Sequence, residues 1–116
     1  MDYYHVYFDL KSGVTDVELV AAVGRYMGHL LDAGLIGGHR LTRAKLGFGL
    51  RLHGDWLLVI EVRDLVQLEA AFQHVASRRD PVESVHFGVN SLVHNPVFAL
   101  YRDFPDPVRH RGDEKF

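Results

Sequence analysis

The chain has 116 residues, 47% of them hydrophobic and 24% charged, with a formal net charge of -2 and no cysteine. This length and balance suit one globular domain with a real core, and they exclude disulfides, thiolate metal sites and a cysteine nucleophile. The slight acidity argues against a general binder of nucleic acid or anionic membrane, which needs a basic surplus.

No apolar run approaches the roughly 20 residues that span a bilayer. The start Met1-Asp2-Tyr3-Tyr4-His5 has neither the basic nor the apolar region of a signal peptide. A cytoplasmic protein with no membrane and no nucleic-acid partner is therefore expected.

Tyr3 to Leu10 is rich in aromatic and branched residues and predicts the first strand, ended by Lys11-Ser12-Gly13. Thr15-Asp16-Val17-Glu18 is a capping box, which opens a helix over about 16–33. Val17, Val20, Ala21, Met27 and Leu31 recur at helical spacing. Gly24 and Gly28 on that side predict close approach to a sheet, and Gly34 stops the helix. The polar, alternating stretch His39 to Lys45 predicts an edge strand, and Leu46 to Asp55 an irregular hairpin connection.

Trp56 to Val62 is apolar almost throughout, as strands buried on both faces are. Asp64-Leu65-Val66-Gln67 reads as a second capping box, and Leu65, Leu68, Phe72 and Val75 give helical spacing over 65–78. Asp80-Pro81 breaks that helix. Ser84 to Val93 predicts the fourth strand. Residues 1–95 then form the domain and 96–116 a C-terminal extension. Within it Val97, Phe98, Leu100, Tyr101 and Phe104 are too apolar for a solvated tail, and should pack on the barrel or a partner. The end, from Arg109, should be mobile.

The order β-α-β-β-α-β is the split βαβ or ferredoxin-like α+β fold. It has a four-stranded antiparallel sheet, order 4-1-3-2, with two helices on one face. Alternation aims Tyr4, Val6, Phe8 and Leu10 at the helices and Tyr3, His5, Tyr7 and Asp9 away. Leu57, Val59 and Glu61 share that second face. From the strand expected at 84–93, so do His86, Asn90 and Leu92. The face is too apolar for water, and a second copy stacked on it would bury it.

This layout, over about residues 3–94, resembles the dimeric α+β barrel superfamily, in which two ferredoxin-like subunits pack sheet to sheet. The whole chain, with Phe8-Asp9-Leu10-Lys11 and the stretch Leu100-Tyr101-Arg102-Asp103-Phe104-Pro105-Asp106-Pro107, also resembles small bacterial proteins of uncharacterised function. The resemblance implies a homodimer. It leaves activity open, since the superfamily includes cofactor-independent monooxygenases, haem-degrading enzymes, lactone isomerases and non-catalytic sensors.

His5, Tyr7, Asp9, Glu61, His86 and Asn90 are the candidate ligand-binding residues, expected to share one cavity. Imidazole beside carboxylate has the parts for acid-base chemistry, and a tyrosine for holding an oxyanion. The competing reading is a polar dimer interface with satisfied hydrogen bonds. His5, His86 and Glu61 are the residue types of a facial metal triad, but no local ligand spacing supports it, so neither metal nor cofactor is expected.

Lys45-Leu46-Gly47-Phe48-Gly49, beside Arg40, Arg43 and Arg51, is a weak phosphate-cradle or RNA-recognition signal, lying in a loop rather than on the third strand. The expected function is binding of a small apolar or aromatic molecule in the dimer barrel, with cofactor-independent oxidation or proton transfer. The alternative is a non-catalytic dimeric binding or interaction module.

Overall fold

The capping box at Thr15 forms as expected and starts the first helix. The Thr15 hydroxyl accepts from the Glu18 amide at 3.2 Å, and the Glu18 carboxylate accepts from the Thr15 amide at 3.1 Å. The computed structural model describes residues 1–49 and 53–105. Its elements are β1 (Asp2–Leu10), α1 (Asp16–Asp32), β2 (Gly38–Arg43), β3 (Trp56–Val62), α2 (Leu65–Ala76), α3 (Val82–Asn90) and β4 (Val93–Arg102).

The sheet is antiparallel with order β2-β3-β1-β4, the expected ferredoxin-like order, and the polar strand β2 lies at one edge. Tyr3 sits opposite Glu61 and Tyr101, His5 opposite Val59 and Ala99, and Tyr7 opposite Leu57 and Val97. Phe8, Leu58, Ile60 and Val62 point to the other side. There they form the core with Leu19, Val23 and Met27 of α1, Leu68 of α2, and Val82 and Val89 of α3. Among the described residues no helix is long and apolar enough to cross a membrane.

The strand expected over 84–93 is a helix, α3, and the fourth strand is Val93–Arg102. Asp80 prepares this helix: its Oδ1 accepts from the Ser84 amide at 3.1 Å and the Ser84 hydroxyl at 2.5 Å. The helix buries Val82 and Val89, seven positions apart on one helical face. β4 crosses the boundary expected at 95/96, and its apolar residues pair with β1 instead of forming a tail. Pro96 fits because β4 is an edge strand, where a missing amide costs no ladder bond. Arg51 and the segment from Arg109 lie outside the described residues.

The inward face of α1 is also different. Its buried residues are Leu19, Ala22, Val23, Met27 and Leu30, while Val17 is 74% and Val20 55% exposed. Two apolar stripes compete on this helix, and the one with the larger leucines goes inward. A Cβ at Gly24 or Gly28 would meet nothing within 4 Å, so neither glycine serves close packing.

At α2, Asp64 accepts from the Gln67 amide at 2.9 Å, but Gln67 completes no box. Its carbonyl oxygen accepts from the Arg63 amide at 2.7 Å, and its Nε2 donates to the Gly34 carbonyl at 3.1 Å. Buried Gln67 thus ties the end of α1 to the start of α2.

Candidate functional site

Placing residues 82–90 on a helix splits the expected cluster in two. His5, Tyr7, Asp9 and Glu61 lie on β1 and β3. The register carries His5, Tyr7 and Glu61 on the open face of the sheet. His86 and Asn90 are on α3, across the sheet, where they help line a cavity of about 340 Å³. The triad of His5, His86 and Glu61 therefore does not assemble. No group of three or more His, Cys, Asp or Glu among the described residues is placed to hold a metal.

The cavity lies between the helix face of β1, β3 and β4 and the three helices. Its walls are largely apolar: Val6, Phe8, Leu58, Ile60, Val75 and Val89 among them. Tyr4 and Phe98 stack at 5.9 Å, and Phe72 meets Tyr4 edge-on at 5.3 Å, which gives one aromatic side. The polar lining comes from Tyr4, Tyr26, His86 and Asn90. The Tyr26 ring packs at 61° against His86 with centroids 5.3 Å apart. Burial, with the neighbouring Tyr4 hydroxyl, pushes the Tyr26 phenol up to about 12. It therefore remains a hydrogen-bond donor at neutral pH. Burial raises Tyr4 as well.

The open face carries its own row of rings. His5 packs against Tyr101 with centroids 4.6 Å apart, and its Nδ1 is 3.4 Å from the Tyr7 hydroxyl. Tyr7 in turn lies 4.8 Å from His53, whose buried Nδ1 has no hydrogen-bond partner among the described residues. Desolvation holds the His5 imidazolium below its usual range. Asp9 serves structure: its Oδ1 accepts from the Asp55 amide at 3.1 Å. Tyr3, opposite Glu61, bonds Asp103, which raises its phenol.

The model of a family of unknown function, DUF6614, matches residues 1–116. The chain belongs to that family. No curated protein matches it.

Solved structures resemble the DUF6614 chain in fold. The crystal structure of At3g17210 from Arabidopsis thaliana has a TM-score of 0.73 at 6% identity, covering 91% of this chain and 98% of that one. A variant of SnoaB, a cofactor-independent oxygenase from Streptomyces nogalater, has a TM-score of 0.68 at 9% identity, covering 93% and 97%. A dimeric ferredoxin-like protein of unknown function from Jannaschia sp. CCS1 has 0.65 at 8%, covering 88% and 98%.

Sequence reasoning about the DUF6614 chain missed Tyr26 and Tyr4 as polar lining. Tyr26 was visible in principle: it falls three residues after Val23 and seven after Leu19, a phenol on a buried stripe. Recognising it required the correct phase of α1.

Proposed function

We propose that this chain binds a small, mainly apolar or aromatic molecule in the cavity between sheet and helices, as a cytoplasmic homodimer. The observation that carries this reading is the cavity itself: about 340 Å³, apolar walls and a few convergent polar groups. Small-ligand sites have this composition and scale. Tyr26 offers a hydroxyl hydrogen to a carbonyl or phenolate, His86 an imidazole, and Asn90 an amide at the wall.

Proton transfer is the chemistry these groups suit. His86 takes a proton from an acidic C–H or O–H of the ligand, and Tyr26 donates to the oxyanion that results. Cofactor-independent oxidation of such an anion, with dioxygen as the electron acceptor, is the finer reading, supported by a shared fold with SnoaB. The homodimer is supported by the half-apolar open face, with Leu57, Val59, Val97 and Ala99 in register across β1, and by dimeric neighbours.

His5, Tyr7, Asp9 and Glu61 then belong to the region between the two sheets, and His86 and Asn90 to the ligand cavity. Thermal shift against a panel of apolar and aromatic molecules tests the reading. Stabilisation by some members is expected, lost when Val75→Phe fills the cavity and weakened by His86→Phe or Tyr26→Phe. If no member stabilises the wild type, the non-catalytic dimeric module is the better account.

A further inference from the structure

His29 and His74 belong neither to the cavity lining nor to the open face. His29 stands in the last turn of α1 and His74 in the last turn of α2. Their Nε2 atoms are 2.9 Å apart. The ring centroids are 5.2 Å apart and the planes differ by 16°. The centroid separation is thus the nitrogen separation plus one ring radius at each end. The imidazoles meet head-on, nearly in one plane, and do not stack face to face.

A contact of this kind needs one Nε2–H and one bare Nε2 lone pair. The neutral pair holds one hydrogen between two nitrogens. If that hydrogen sits on Nδ1 of its own ring instead, both Nε2 lone pairs are free, with no net release of a proton. The surroundings favour a positive charge in their place. Two helices end here, and the C-terminal carbonyls present the negative end of each helix dipole. Both residues are only half-buried, so an ion reaches them from solvent.

We propose that His29 and His74 form a two-imidazole site for a divalent late transition-metal ion, with copper(II) and nickel(II) preferred over zinc(II). The general affinity order of divalent ions for nitrogen ligands, in which copper(II) stands above zinc(II), argues for that preference, and the separation is compatible with it. Two nitrogens each about 2.0–2.1 Å from one ion are roughly 2.9 Å apart when the angle at the metal is near a right angle. Right angles suit the tetragonal sites of copper(II) and nickel(II), whereas zinc(II) prefers a wider tetrahedral angle. Rotation of the two rings brings the lone pairs to converge on such an ion. Water fills the remaining positions, because the described residues offer no third His, Cys, Asp or Glu there. The ion would join α1 to α2 one turn beyond Tyr26 and beside Val75, which both line the cavity.

Titration of the full chain with copper(II) at neutral pH tests this site. In NMR spectra, substoichiometric copper should broaden the ring signals of His29 and His74 before those of the other histidines. Paramagnetic resonance at one equivalent should show two equatorial imidazole nitrogens. His29→Gln or His74→Gln should weaken binding by at least roughly tenfold, since even residues that merely support metal ligands are worth about 10–100-fold. His39→Gln, on the exposed strand β2, should leave it unchanged. Broadening that begins at another histidine in the wild type overturns the assignment, without any appeal to a variant's folding. Equal copper affinity in the folded double variant overturns it too, and tighter zinc than copper binding overturns the metal preference.

Discussion

Arg102, the last residue of β4, donates from its Nε to Oδ1 of Asp2, the first residue of β1, at 2.6 Å, and a second bond joins Nη2 to Oδ2 at 3.3 Å. Asp2 is 3% exposed, so this fork locks one end of the strand pair, where β1 begins and β4 finishes, at a nearly closed site. The Arg102 hydrogen bond holds the Asp2 carboxyl below its usual value of 3.8, outweighing the opposing effect of burial.

Asp2→Asn should therefore cost about 1–2 kcal/mol at neutral pH, as expected for a charge-assisted hydrogen bond with one partly solvated partner. The sign of the pH dependence follows from the depressed folded value. The contribution is complete above the ordinary 3.8 and is lost as pH falls through the lower folded value. Urea denaturation of both proteins at pH 7 and again near the acid limit checks this, and a gap that stays constant with pH would remove the ionic explanation.

His5 gives a pH effect of the same sign in a higher window. Desolvation lowers its folded value from 6.5, so the folded chain binds this proton less tightly than the unfolded chain does. Stability should be unaffected above about 6.5 and should fall as pH drops from there through the folded value. Ring-proton NMR should show His5 titrating below the ordinary range, and His5→Phe should flatten this part of the stability profile. A His5 that titrates at or above 6.5 would contradict it.

The open face makes a prediction about mass. Light scattering at micromolar concentration should give about twice 13.2 kDa. Val59, paired between His5 and Arg40, sits near the middle of that face. Val59→Asp should drive the protein to monomer or aggregate, because an unpaired charge buried between sheets costs several kcal/mol. A soluble wild-type monomer would end the sheet-to-sheet dimer.

Two glycines should respond with opposite sign. A Cβ at Gly54 would lie 2.0 Å from the Phe8 backbone carbon, where nothing flexible can move aside. Gly54→Ala should cost about 3 kcal/mol or more, at the top of the range for overpacking. Gly24→Ala places its methyl in open space on a helix and should stabilise by about 0.5–1 kcal/mol. Denaturation midpoints of the two variants should move in opposite directions.

The local signals were legible where one short-range interaction decides the structure. The Thr15–Glu18 box, the strand at Tyr3 to Leu10, the apolar strand Trp56–Val62 and the charged edge strand β2 all appear near their expected positions. The faces of β1 and β3 were legible too, since alternation in a strand has only two outcomes. That sufficed for the sheet order and for His5, Tyr7 and Glu61 sharing one face.

Tertiary packing decided the rest. Val85, Phe87 and Val89 satisfy a period of two, but Val82, His86 and Val89 satisfy a helical period equally well, and a nine-residue segment is too short to separate them. Asn95 and Pro96 signal a turn in isolation, yet an edge place beside β1 lets the chain run on as β4. On α1, Val17 and Val20 compete with Leu19 and Val23 for the core, and only the sheet selects between the stripes. These choices moved His86 and Asn90 across the sheet and brought Tyr26 beside them. The sequence by itself determined the sheet order and the half-apolar open face, because caps and alternation act over a few residues. The cavity and the His29–His74 contact arise from helices 45 residues apart in sequence at that contact, and only the three-dimensional packing brings them together.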